Sequence, residues 1–273
     1  MRRRALVAVV TALALASCTR YVEGSPDDEV RRPSITPSAQ ELPAPGQCVN
    51  AELRQVDCAG PHEAEVTDVG ELGDVGEGSQ RDVRRAAVPP CRAALARYVG
   101  SADHDATRLH AQAMWPSADG WARGDRWRLC LAVELAPDGQ RVARSGSVKD
   151  LLKASGFASV QLCALDSPSQ ARDPKLTGCD TAHVAEAVPG VLSLGSPGDP
   201  APSQEEVDAR AREHCATAVR GYVGADRPDV FAAWRAFGSL AWSEGFTTAV
   251  CYAEATRPFT GRLWGLGANP LPG

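Results

Sequence analysis

Cys91-Arg-Ala-Ala-Leu-Ala-Arg-Tyr-Val-Gly100 and Cys215-Ala-Thr-Ala-Val-Arg-Gly-Tyr-Val-Gly224 are two versions of one ten-residue phrase, and their relation decides how the chain is divided. Downstream of each phrase, WARGDRWRLC (Trp121 to Cys130) aligns without a gap with WSEGFTTAVC (Trp242 to Cys251), keeping Trp, Gly and Cys in register. Upstream, Cys58-Ala-Gly-Pro-His62-Glu-Ala-Glu65 faces Cys179-Asp-Thr-Ala-His183-Val-Ala-Glu186, both of the form C-x3-H-x2-E. A trailing Ser145-Gly146-Ser147-Val148 corresponds to Thr260-Gly261-Arg262-Leu263. Agreement in one order along the chain indicates a tandem duplication. A length of 273 residues suits two small units, placed at residues 46–154 and 159–268.

Each unit reads as α+β: a small antiparallel sheet packed with a helix and stapled by disulfides. Val66 to Leu72, Val184 to Leu194, Leu129 to Leu135 and Ala249 to Ala255 are apolar and β-branched enough for strands. Residues 203–223 place Val207, Ala211, Cys215, Ala218, Val219 and Tyr222 at helical spacing. Ser203 with Glu206 forms a capping-box pattern, and Gly224 is placed to end the helix. In the first unit Pro89-Pro90 precede Cys91, which predicts a shorter helix starting at Pro90.

The amino terminus differs from both units. Arg2, Arg3 and Arg4 precede an apolar run from Ala5 to Ala16, too short for a bilayer span of about 20 residues, so residues 1–17 read as an export signal. Leu15-Ala16-Ser17-Cys18 resembles the lipobox of bacterial lipoproteins, which implies cleavage before Cys18 and acylation of its thiol. Several acyl chains at about 0.8 kcal/mol per buried methylene anchor a protein durably. Arg3-Arg4-Ala5-Leu6-Val7 also loosely resembles a twin-arginine signal. Residues 18–45 are rich in proline, serine and charge and read as a lipidated, disordered tether. The formal charge is −5, and loss of the three signal arginines makes the mature chain more acidic. No basic footprint for nucleic acid is present.

Nine cysteines divide as one plus four plus four. Cys18 is the lipidation site, leaving Cys48, Cys58, Cys91 and Cys130 in the first unit and Cys163, Cys179, Cys215 and Cys251 in the second. An exported chain meets an oxidising compartment, so each set predicts two disulfides. If both units pair alike, three arrangements remain, of which first with second and third with fourth is preferred. A structural metal held by Cys58 with His62 and Cys179 with His183 is the alternative, but zinc sites usually use two close cysteine or histidine pairs. No cofactor and no metal is expected.

His62, Glu65, His183 and Glu186 are the candidate binding residues. A histidine and a glutamate this close also suit acid–base chemistry, so an exported hydrolase using His62 and Glu65 is the competing function. The preferred reading keeps the histidine as a cap on the turn after a disulfide. No G-x-S-x-G, S-x-x-K, phosphate-loop or H-E-x-x-H pattern occurs, and no catalytic residue is assigned. Trp121 and Trp242, at matched positions, are expected as core anchors.

Gly46-Gln-Cys-Val-Asn50, the stretch from Val56 to Val66, the Cys91 phrase and Trp115-Pro-Ser-Ala-Asp-Gly-Trp-Ala-Arg-Gly-Asp-Arg-Trp-Arg-Leu-Cys130 resemble the septum formation domain family of actinobacteria. The second unit departs where the Pro-His pair becomes Ala182-His183 and where the Trp-Pro motif is lost before Trp242. The resemblance implies an envelope role connected with division, and it implies no known enzymatic activity, ligand or established mechanism. The resulting expectation is a non-catalytic lipoprotein on the extracytoplasmic face of the cell membrane. It would meet the membrane through its lipid and bind an envelope protein or wall component.

Overall fold

A computed structural model describes residues 42–73, 75 and 79–273. The signal segment, Cys18 and the tether as far as residue 41 lie outside the described residues. The last residues assigned to the tether are already packed: Pro43 is buried and Leu42 lies on the core of the first sheet.

The first repeat contains β1 (Cys48–Val49), β2 (Gln55–Val56), β3 (Ala64–Glu71), α1 (Gln80–Val99), a 3-10 turn at Ala102–Ala106, β4 (Leu109–Met114), α2 (Ala118–Ala122), β5 (Trp127–Leu135) and β6 (Arg141–Val142). After α3 (Phe157–Val160) the second has β7 (Cys163–Ala164), β8 (Leu176–Thr177), β9 (His183–Ala187), β10 (Leu192–Ser193), α4 (Gln204–Val223), β11 (Val230–Ala236), α5 (Ser239–Trp242) and β12 (Thr248–Phe259). The strands form two antiparallel sheets. The order β2-β1-β3-β5-β4 in the first is matched by β8-β7-β9-β12-β11 in the second. Even the register repeats, with Cys48 opposite Glu65 and Cys163 opposite Glu186. This is an α+β fold built twice.

Four disulfides lock the pattern: Cys48–Cys58, Cys91–Cys130, Cys163–Cys179 and Cys215–Cys251, with Cα–Cα distances of 5.0 to 5.2 Å. The second and fourth pin each long helix to the central strand of its sheet.

Three local expectations are corrected. Helix α1 does not start at Pro90: it begins at Gln80 and has 20 residues, as many as α4. Ser79 and Asp82 close a capping box that sets the true start, so Pro89 and Pro90 lie inside the helix. Proline costs a helix its N–H donors at these two positions, but α1 is held to the sheet by buried Val83 and Ala87 before them and by the Cys91–Cys130 disulfide and Leu95 after them. The predicted strand Val184 to Leu194 divides into β9 and β10, with Pro189 and Gly190 (φ +94°) turning the chain between them. Trp242 is buried, whereas Trp121 is only half-buried and stacks under the Arg126 guanidinium at 4.0 Å.

The two repeats share their cores. Ala106 of the first repeat packs among the buried alanines of the second sheet, and Val160 packs with Leu95, Val99 and Leu109 of the first. Backbone bonds Arg108 N–H to Val160 and Leu162 N–H to Ala106 cross the same seam.

Candidate functional site: two buried histidine–glutamate centres

Each C-x3-H-x2-E motif runs from a disulfide through a tight turn into the first long strand. In the first repeat the turn brings His62 Nδ1 within 3.0 Å of the Gly60 carbonyl, so Nδ1 carries the proton. His62 Nε2 then lies 3.3 Å from Glu65 Oε1, with both side chains almost fully buried.

Glu65 has further partners. Tyr98 at the end of α1 donates its hydroxyl to Oε2 at 2.9 Å, Ser147 donates to the same oxygen at 2.5 Å, and the Val148 backbone N–H donates to Oε1 at 2.6 Å. The centre therefore ties together a disulfide turn, a helix end and the segment after the sheet. Burial pushes the Tyr98 hydroxyl up to about 12; the hydrogen bond with Ser147 opposes it, and the Glu65 carboxylate adds to the rise.

The second repeat builds the same centre from the matching residues. His183 Nδ1 is 2.6 Å from the Thr181 carbonyl, and Nε2 is 3.4 Å from Glu186 Oε1. Tyr222 donates to Glu186 Oε2 at 2.6 Å, and Leu263 N–H donates at 3.1 Å. Leu263 thus occupies the place of Val148. Gln161 adds an outer layer, donating to the Tyr222 hydroxyl at 2.9 Å and accepting from Arg262. Burial, then the Glu186 charge, raise the Tyr222 hydroxyl above its ordinary range.

The geometry limits the chemistry. Cys48 with His62 and Glu65, and Cys163 with His183 and Glu186, each gather three potential metal-ligand atoms within 4.8 Å. Both sulfurs are already bonded to another cysteine, which removes the thiolate that a metal site of this kind needs. The space beside His62 and Glu65, lined also by Leu109, Val133 and Val148, admits no water-sized molecule. Each carboxyl group is committed to donors from its own chain. A substrate would have to displace part of the core to reach it.

Sequence reasoning singled out the histidines, glutamates and cysteines but not Tyr98, Tyr222, Ser147, Val148, Gln161 and Leu263. The signal was present for most of them. Both tyrosines stand at the eighth position of the repeated ten-residue phrases, and Val148 and Leu263 stand in the paired trailing segments.

A second polar cluster lies on the seam between repeats. Arg92, on α1, donates to both oxygens of Asp105 at 2.7 Å and to the Gly245 carbonyl at 2.8 Å, and its guanidinium lies 3.9 Å from the Phe246 ring centre. Thr248 donates to Asp105 at 2.6 Å. Burial raises the Asp105 carboxyl, but His104, Arg92 and Thr248 outweigh it and hold the group well below the usual carboxylate range. Asp103 accepts from Gly190 and Val191 N–H, and Arg84 pairs with Glu244.

A family model described as septum formation matches residues 44–251, spanning both repeats. Two uncharacterized membrane proteins of Mycobacterium tuberculosis, from different strains, are each 23% identical over 171 residues, covering 61% of this chain and 38% of theirs. The chain thus spans well under half the length of these relatives. No solved structure matches the chain.

Proposed function

The chain belongs to the septum formation family, and from that footing we propose that it is a non-catalytic cell-envelope lipoprotein that binds an envelope protein or wall component during septum formation. The observation that carries this reading is the repetition of one closed centre: His62–Glu65–Tyr98 and His183–Glu186–Tyr222 spend their polar groups on holding the fold. A catalytic pair needs one group open to substrate, and neither centre offers one. The competing hydrolase reading depends on His62 and Glu65 reaching a substrate.

The membrane side of the proposal draws on two observations. The relatives are named as membrane proteins, while among the described residues no helix is long and apolar enough to cross a membrane. A lipid on Cys18 would supply the attachment, and four disulfides suit an oxidising compartment on the extracytoplasmic face. No nucleic acid and no cofactor is part of the proposal.

Metabolic labelling with an alkyne fatty acid tests the anchor: the wild-type chain should take the label, and Cys18→Ala should lose both label and membrane attachment. A fluorescent fusion in dividing cells tests the role. Enrichment at the septum is expected; uniform fluorescence around the envelope would count against it.

A further inference from the structure

The two disulfides of a repeat have different surroundings. Cys91–Cys130 and Cys215–Cys251 join a helix to a strand. Cys48–Cys58 and Cys163–Cys179 close the turns that carry the histidines. Among the described residues, the groups of three metal-ligating side chains lie at these turns: Cys48 with His62 and Glu65, and Cys163 with His183 and Glu186, their ligand atoms within 4.8 Å of one another. Cys58 and Cys179 bring a fourth donor to the same place, because each is bonded to a sulfur already in the group.

Apart from the bond between the sulfurs, each group has the surroundings of a zinc ligand set. A ligating imidazole as a rule donates its other ring N–H to a carbonyl, and a ligating carboxylate is itself hydrogen-bonded. His62 Nδ1 faces the Gly60 carbonyl and His183 Nδ1 that of Thr181, which leaves Nε2 toward the glutamate in both. Tyr98 and Ser147 hold Oε2 of Glu65, and Tyr222 holds Oε2 of Glu186, leaving Oε1 on the histidine side. Tetrahedral zinc with bonds of about 2.0–2.3 Å sets its donors about 3.3–3.8 Å apart. The Nε2 to Oε1 separations are 3.3 Å in the first repeat and 3.4 Å in the second.

We propose that the reduced chain binds two zinc ions, one per repeat: Cys48, Cys58, His62 and Glu65 take the first, and Cys163, Cys179, His183 and Glu186 the second. With the disulfide open, the two sulfurs part to about 3.8 Å and the ion enters between them, releasing the two thiol protons. It takes the place of the S–S bond, so the filled space beside Leu109 and Val148 need not open. The return step requires a disulfide-bearing oxidant. The two thiolates give up two electrons and form the Cys–Cys bond, the oxidant takes those electrons with two protons and becomes two thiols, and the zinc ion leaves. A chain made in a reducing compartment and then exported would be held at each turn first by zinc and afterwards by the disulfide. That order rests on the export reading given above; the metal site does not.

The full chain, reduced with a phosphine and titrated with cobalt(II) and then zinc, tests this. Two equivalents of cobalt should give the thiolate-to-metal charge-transfer band and strong visible absorption of a tetrahedral site, and zinc should bleach both. After gel filtration the reduced chain should retain two zinc ions and the oxidised chain none. Replacing Cys48, Cys58, Cys163 and Cys179 together by serine should abolish retention. Replacing Cys91, Cys130, Cys215 and Cys251 instead removes as many thiols and should leave both ions bound. Equal retention by these two variants would overturn the proposal. So would a reduced wild-type chain that retains no zinc, folded or not, since binding should itself order the turns. Neither result depends on lipid at Cys18 or on a septal role.

Discussion

Glu65 is the residue on which the most elements of the first repeat converge. Its two oxygens gather donors from the turn after Cys58, the end of α1 and the Ser147–Val148 segment. Removing the acceptor leaves those buried donors unpaired, so Glu65→Ala should cost roughly 3–5 kcal/mol by urea denaturation. Glu186→Ala should cost a similar amount in the second repeat. Glu→Gln is a milder change because one amide oxygen still accepts. The tyrosines give the pH dependence. Tyr98 is raised to about 12 from a reference of 10.0, so its contribution is intact below pH 10 and drains away as pH rises toward 12. Melting temperature against pH should therefore fall across that window, and Tyr98→Phe should flatten the fall. The histidine and the glutamate were legible because the motif recurs. Their mutual contact was not, since a spacing of three residues says nothing about which way either side chain turns at a disulfide.

At the level of elements, α4 was legible from its apolar face, its capping box and its terminal glycine. Ser203→Ala should cost it about 1 kcal/mol, measured by the same denaturation. Helix α1 was misread because Pro89-Pro90 is a strong local stop signal, while the Ser79–Asp82 cap that outweighs it lies a full helix-half upstream. Strands β4 and β11 were not anticipated. Their sequences, LHAQAM and VFAAWRA, hold too many alanines and polar residues to stand out, and pairing with the long β5 and β12 makes them strands. The prolines in α1 also serve the seam: a Cβ added at Gly245 (φ +87°) would lie 3.1 Å from Pro89 Cα. Gly245→Ala should therefore loosen the contact between repeats and increase protease cleavage near residues 243–248.

At the scale of the whole molecule, the duplication explains why one sheet order, one register and one disulfide pattern occur twice. It does not explain the seam, because the repeats differ there. Arg92 follows Cys91, but Ala216 follows Cys215, and the 3-10 turn carrying Asp103 and Asp105 has no counterpart after Gly224. Divergence at these positions made an interface out of two similar units, and a repeat search that rewards agreement passes over it. Asp105, held ionised, contributes stability above the ordinary carboxylate range that is lost as pH falls through and below it. Acid should accordingly weaken the seam. The disulfides act on the same scale: the Cys91–Cys130 loop of 39 residues corresponds to about 4 kcal/mol of chain entropy, a model-dependent figure.

The central proposal is that the paired histidine–glutamate centres serve to hold the fold rather than to act on a substrate. The most direct measurement takes one variant, His62→Gln with Glu65→Gln, and determines its unfolding free energy together with its ability to support septum formation in cells. The account predicts that any loss of function tracks the loss of folded protein and is restored when raised expression returns the folded amount to the wild-type level. Complete loss of function in a variant that remains as stable and as abundant as the wild type would contradict it.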